Sequence, residues 1–159
     1  MKVVILAGGY GTRISEETSL IPKPLIKISG KPILLHIMEH YAFYGHKEFI
    51  ICCGYKGNKL IQYFQSLLKK TSKSPSIRIK FGEQFSAKKN LKVTLVDTGK
   101  DTMTGGRIKR IKKFIDRNEL FLMTYGDGLS NVNINKLIEL HKLKNTFATV
   151  TAVAQPNRF

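Results

Sequence analysis

Long apolar runs are missing from this chain, and no stretch approaches the roughly 20 residues that a membrane span requires. The apolar segment after Lys2 is short and runs straight into glycines, so it does not read as a secretory signal. Cysteine is scarce as well: the two present, Cys52 and Cys53, are neighbours. Adjacent cysteines seldom pair with each other, so they read as reduced thiols and the chain as cytoplasmic. Acidic residues are few, 11 against 27 Lys and Arg, which leaves a formal charge of +16. Such an excess can mark a polyanion-binding surface. The lysines are scattered, however, and the densest groups, at Lys69-Lys70, Lys88-Lys89 and Lys109 to Lys113, have no interleaved aromatics and no helix-turn-helix pattern. The charge is therefore read as solvated helix faces, part of it serving a phosphate-rich small ligand. No membrane and no specific nucleic acid is expected as a partner.

What is present points to a globular α/β domain. Apolar residues make up 42% of 159, enough for one well-buried core. Strand and helix patterns alternate, which predicts a Rossmann-like layered sheet, mixed but mostly parallel, flanked by helices. Strands are expected at 2–6, 49–53, 77–81, 92–96, 120–124 and 147–153. A helix is expected over 31–44, with Pro32 at its start and Leu34, Ile37, Met38 and Tyr41 on one face. A second carries Leu60, Ile61, Phe64, Leu67 and Leu68, after which 71–76 reads as a polar loop. A third opens at Thr104-Gly105-Gly106 and carries Ile108, Ile111, Phe114 and Ile115, and a fourth lies near 134–143.

The chemistry gathers in loops that follow strands, where open α/β sheets bind their ligands. Leu6-Ala7-Gly8-Gly9-Tyr10-Gly11-Thr12-Arg13 has three glycines in four positions, so bare backbone N–H groups can approach phosphate oxygens. Arg13, and Lys23 in Pro22-Lys23-Pro24, can neutralise the charge on those oxygens. The spacing is neither a Walker loop nor G-x-G-x-x-G. Tyr125-Gly126-Asp127-Gly128 places a carboxylate between two glycines at another strand end. Beside bound phosphates, Asp127 is a candidate Mg²⁺ ligand, with a plain turn residue as the alternative. Thr102 to Arg107 offers hydroxyls and N–H groups at a helix start, where Arg107 reads either as a ligand contact or as a surface charge. His36 and His40 stand four apart but lack a further ligand, so a zinc site is discounted. Cys52 and Cys53 lack a base and are assigned to the core.

With the glycine loop, Thr18 and Pro22-Lys23-Pro24, the chain resembles the sugar-1-phosphate nucleotidyltransferase family. Further segments narrow the resemblance to its cytidylyltransferase branch, which acts on glucose 1-phosphate: Ser15-Glu16-Glu17-Thr18, Gly30-Lys31-Pro32-Ile33-Leu34, Ile51-Cys52-Cys53-Gly54-Tyr55-Lys56-Gly57, Val93 to Gly99, Met103-Thr104-Gly105-Gly106-Arg107 and Thr124 to Gly128. It covers essentially the whole chain and is weakest at 70–90.

The resemblance implies transfer of a cytidylyl group from CTP to α-D-glucose 1-phosphate with Mg²⁺, for dideoxysugars of bacterial surface polysaccharide. It implies that Leu6, Ala7, Gly8, Gly9 and Tyr10 hold base and ribose and that Gly11, Thr12 and Arg13 hold phosphates. Arg13 and Lys23 are then catalytic, Thr102, Arg107 and Gly126 contact the nucleotide, and Asp127 binds the metal. Family members form homo-oligomers and run on for roughly another hundred residues, a domain-scale length. The resemblance therefore makes 1–159 the N-terminal portion of a nucleotidyltransferase domain, truncated at its C-terminus, with the sugar-binding part and a second metal carboxylate beyond Phe159. A non-catalytic nucleotide-binding remnant and a polyanion-binding protein are the competing readings.

Overall fold

The structure is a computed structural model that describes residues 1–10, 21–68, 76–80 and 90–154. The chain divides into two compact units, Met1–Leu129 and Ser130–Phe159.

The first unit is built on a five-stranded sheet. Its strands are β1 (Lys2–Ala7), β4 (Glu48–Cys53), β5 (Ser76–Lys80), β6 (Asn90–Asp97) and β7 (Leu122–Tyr125). They lie in the order β5-β6-β4-β1-β7. β1 pairs in parallel with β4 on one side and β7 on the other, β4 pairs in parallel with β6, and β5 is antiparallel to β6. The mixed, mostly parallel sheet is the one the alternating pattern predicts. Val3, Val4, Ile5 and Leu6 of β1 and Phe49 to Cys53 of β4 are all buried, as strands covered on both faces require. On one face Val4, Leu6, Ile50 and Cys52 pack with Ile111, against which Val96, Ile108, Phe114 and Ile115 close.

Helix α1 (Ile33–Phe43) buries Leu34, Ile37, Met38 and Tyr41, one stripe at helical spacing, and α2 (Gly57–Leu68) buries Leu60 and Phe64. α1 begins two residues later than the pattern suggests. Lys31 and Pro32 instead form β3, antiparallel to β2 (Lys27–Ile28), across a turn in which Ser29 and Gly30 have φ of 51° and 80°. Two successive positive φ values make the turn that matches strand twist in a two-residue hairpin. Helix α3 (Thr104–Arg110) is shorter than the Ile108 to Ile115 periodicity implies. The Ile111 amide is shared between the Arg107 and Ile108 carbonyls, both at 3.3 Å, and the chain tightens into a 3-10 turn over Lys112–Phe114. Phe114 and Ile115 still reach the same apolar cluster. Of the loop expected at 71–76, residues 71–75 lie outside the described residues, and Ser76 instead begins β5.

The second unit contains α4 (Ile134–Lys144). Asn133 caps it by accepting from the Lys136 amide at 3.1 Å, and Asn145, left-handed at φ 47°, ends it. The strand expected at 147–153 is not formed: these residues pair with no strand among those described, and Phe147, Val150 and Val153 are exposed. An apolar alternation is only a half-specification, because a strand exists through the ladder it makes with a neighbour. Among the described residues no helix is long and apolar enough to cross a membrane.

Two features of the packing are measurable. Burial pushes the Cys52 thiol up to about 11 and the Cys53 thiol up to about 12. Since the thiolate is the reactive form, neither should be alkylated by iodoacetamide at pH 8 in the folded chain, and both should react once it is denatured. Fast labelling of native protein would contradict this packing. His46, before β4, has its Nε2 buried with no hydrogen-bond partner among the described residues. Burial, and secondarily the positive amino terminus, lower its pKa from the usual 6.5. Protonation therefore favours the unfolded chain: the neutral ring's contribution is present above pH 6.5 and lost as pH falls through the folded value. Thermal melts should weaken between pH 7 and about 5.5, less so in His46→Phe; parallel curves for the two proteins would exclude His46 as the cause.

Candidate functional site

The chain passes from β1 to β4 and β6 on one side and then returns to β7 on the other, so the strand order reverses at β1. Ligands of open α/β sheets bind in the crevice that such a reversal opens beyond the carboxyl ends of the strands. A cleft of about 250 Å³ lies there, between the loops that follow β1, β6 and β7.

Leu6, Ala7, Gly8, Gly9 and Tyr10 form one wall. Gly8 is buried and Gly9 and Tyr10 are exposed, so the chain surfaces as it leaves the sheet. The Gly126 amide donates to the Leu6 carbonyl at 2.9 Å, which ties the end of β7 to the end of β1. Gly126 thus supports the wall and does not line the cleft itself, whereas Asp127, next in the chain, does. Gly11, Thr12 and Arg13 lie outside the described residues.

Lys23 enters the cleft from a 3-10 turn, Lys23–Leu25, that follows Pro22 and includes Pro24. Its Nζ is 3.8 Å from Asp127 Oδ2, and the two side chains are 17% and 44% exposed. Residues 104 positions apart in sequence thereby make one charge pair: a cation that can face a phosphate and a carboxylate that can face a metal. Proline fixes the local backbone, so the lysine is delivered from a rigid turn.

The third wall comes from the β6–α3 loop, where Lys100, Asp101, Thr102 and Met103 join the lining. Tyr10 donates its hydroxyl to Asp101 Oδ1, which bridges this loop to the glycine loop. That hydrogen bond, with burial second, raises the Tyr10 pKa and keeps the phenol protonated. The Tyr10 ring lies 5.0 Å from that of Tyr55, and Lys100 Nζ sits 5.8 Å from its centroid. Thr102 Oγ1 accepts from Arg110 Nη1 at 2.7 Å.

Arg107 is buried and lines the cleft. It is 5% exposed, so it is not a surface charge. Its Nη1 donates to Thr98 Oγ1 at 2.7 Å, to the Gly99 carbonyl at 2.9 Å and to the Cys53 carbonyl at 3.2 Å. Its Nη2 donates to the Gly8 carbonyl at 2.8 Å and to the Lys100 carbonyl at 3.3 Å. The guanidinium therefore lies in a cage of neutral oxygens drawn from the ends of β1, β4 and β6, at the floor of the cleft.

Lys100, Asp101 and Tyr125 line the site without having been singled out from the sequence. Asp101 and Tyr125 neighbour residues that were, Thr102 and Gly126, whereas Lys100 neighbours no candidate site residue. The two histidines have other surroundings: His36 Nε2 is 3.0 Å from the Ile28 carbonyl, and the His40 ring meets Tyr44 edge-on at 5.3 Å. Among the described residues no group of three or more His, Cys, Asp or Glu could hold a metal by itself.

Known proteins are similar to this chain along its whole length. Glucose-1-phosphate cytidylyltransferase of Salmonella typhimurium is 47% identical over 161 aligned positions, which cover 100% of this chain and 63% of that protein. Probable glucose-1-phosphate cytidylyltransferase of Bacillus subtilis matches at the same identity and coverage. The chain thus spans about 63% of the length of these curated relatives. Among solved structures, HddC from Yersinia pseudotuberculosis, complexed with GMP-PN, superposes with a TM-score of 0.64 at 32% identity, over 88% of this chain and 53% of that one. The model of the nucleotidyl transferase family matches residues 2–159, and the chain belongs to that family.

Proposed function

We propose that this chain supplies the nucleotide half of a cytidylyltransferase site, which transfers a cytidylyl group from CTP to α-D-glucose 1-phosphate and yields CDP-glucose and pyrophosphate. The observation that carries the reading is the convergence of Lys23 and Asp127, 3.8 Å apart, beside the glycine loop at the strand-order reversal. The choice of CTP and glucose 1-phosphate follows the names of the relatives at 47% identity.

In the proposed reaction an oxygen of the sugar phosphate attacks the α-phosphorus of CTP, the bond from that phosphorus to the bridging α–β oxygen breaks, and pyrophosphate leaves with the electron pair. Little covalent chemistry falls to the protein, whose contribution is alignment and charge neutralisation. Leu6 to Tyr10 hold the base and ribose, with Thr102 beside them, and Gly11, Thr12 and Arg13 hold the phosphates. Lys23 faces the α-phosphate, where negative charge shifts as the bond breaks. Arg13 stabilises the leaving pyrophosphate. Asp127 is the residue that would hold Mg²⁺: its carboxylate is half-exposed to the cleft, and Mg²⁺ takes one or two carboxylates together with phosphate oxygens and water. The ion would supply further neutralisation of the triphosphate oxygens.

Release of pyrophosphate from CTP, glucose 1-phosphate and Mg²⁺ tests the whole reading. CTP binding without release would favour the non-catalytic remnant, and absence of CTP binding would sink both. Affinity for nucleic acid that falls steeply with salt and survives Arg13→Ala and Lys23→Ala would favour the polyanion reading instead.

Two variants give sharper expectations. Lys23→Ala should lower the rate by about 10²- to 10³-fold, as removal of a transition-state charge contact does. It should cost no more than about 2 kcal/mol of stability, since the ion pair and the partly buried lysine stem are lost. A large fall in melting temperature would instead make Lys23 a structural residue. Asp127→Asn should weaken the dependence of CTP binding on Mg²⁺ while leaving metal-free CTP binding at least as strong, because a carboxylate that repels phosphate is gone. Equal loss with and without Mg²⁺ would contradict the metal role.

A further inference from the structure

We infer that Arg107 is a positioning residue that shapes the nucleotide loop from beneath, acting through the Gly8 carbonyl. This rests on the proposed CTP site for its functional consequence, but its geometry stands independently.

The glycines around the guanidinium are cut to its shape. A Cβ at Gly8 would lie 2.2 Å from Arg107 Nη1, and one at Gly54 would lie 2.3 Å from the same atom and 2.8 Å from the Gly8 oxygen. Neither distance is sterically possible, and the arginine cannot swing aside without leaving its five oxygens. At Gly9, in contrast, a Cβ would meet nothing within 4 Å. The two adjacent glycines therefore serve different ends: Gly8 admits the arginine, and Gly9 leaves the open side of the loop bare.

The peptide bond between them transmits the effect. The Gly8 carbonyl is held by Arg107 Nη2 at 2.8 Å and by the Tyr55 amide at 3.1 Å. In a trans peptide the following N–H points opposite to the carbonyl. Pinning the Gly8 oxygen inward consequently turns the Gly9 N–H outward, on the exposed side of the loop, where an oxygen of the bound nucleoside can accept from it. The same guanidinium holds the Cys53 carbonyl, which also accepts from the Thr98 amide at 2.9 Å. One side chain thus sets the relative positions of three loops.

A lysine retains the charge but not the planar fork, so Arg107→Lys separates position from charge. Hydrogen exchange of the ligand-free chain should show protection of the Tyr55 and Thr98 amides reduced at least tenfold in Arg107→Lys, with the melting temperature within a few degrees of the parent. CTP affinity, measured with Mg²⁺, should fall at least tenfold. Gly8→Ala, at a position without positive φ, should reproduce both losses in the parent and add less than twofold in an Arg107→Ala background. Unchanged protection in Arg107→Lys would overturn the inference. So would loss of CTP affinity with protection intact, which would make Arg107 a direct nucleotide contact, and so would additive losses in the double variant. If the parent chain does not bind CTP, the functional reading fails, while hydrogen exchange and the double variant still decide the role of Arg107.

Discussion

β1 is the constraint on which everything else hangs. It is paired on both edges, to β4 and to β7, and its side chains from Val3 to Ala7 are buried. A strand so enclosed can surface only at its end, and it does so at Gly8-Gly9. Because β4 and β6 lie on one side of β1 and β7 on the other, the loops that follow β6 and β7 part at that point and, with the loop after β1, enclose the cleft. The hydrogen bond from Gly126 to the Leu6 carbonyl closes its base. Burial of an apolar strand thereby decides where a polar ligand can be received.

The charge in the site is arranged in two ways. Lys23 and Asp127 oppose each other at 3.8 Å and partly cancel. Arg107 is buried against four carbonyls and one hydroxyl, none of which carries a formal charge. Dipoles stabilise the buried cation without neutralising it, so its field still reaches the cleft above. A carboxylate partner would have removed that field, and an unpaired arginine would have carried the full desolvation cost.

Parallel strands buried on both faces write near-continuous apolar runs, so β1 and β4 were legible to within a residue. The stripe of α1 was equally plain, but its start was not. Ser29-Gly30 carries a turn signal, but the pairing that folds 27–32 into a hairpin is not written in it. At α3 the periodicity of Ile108, Ile111, Phe114 and Ile115 reported the correct buried face and the wrong helix length, because a 3-10 turn serves the same face. The segment 147–153 had the apolar alternation of a strand and lacks the pairing that would make it one.

Local sequence determined which loops carry chemistry, since glycine, proline and charge act on the backbone within a few residues. The glycine run, Lys23 between two prolines and Asp127 between two glycines could all be found that way. What the glycines are for was decided elsewhere. Only the fold brings an arginine 99 residues away to the Gly8 carbonyl, and only then does Gly8 become a socket for a side chain while Gly9 stays bare on the open side of the loop. A linear sequence records that a Cβ is missing; the atom that needs the space is a matter of tertiary packing.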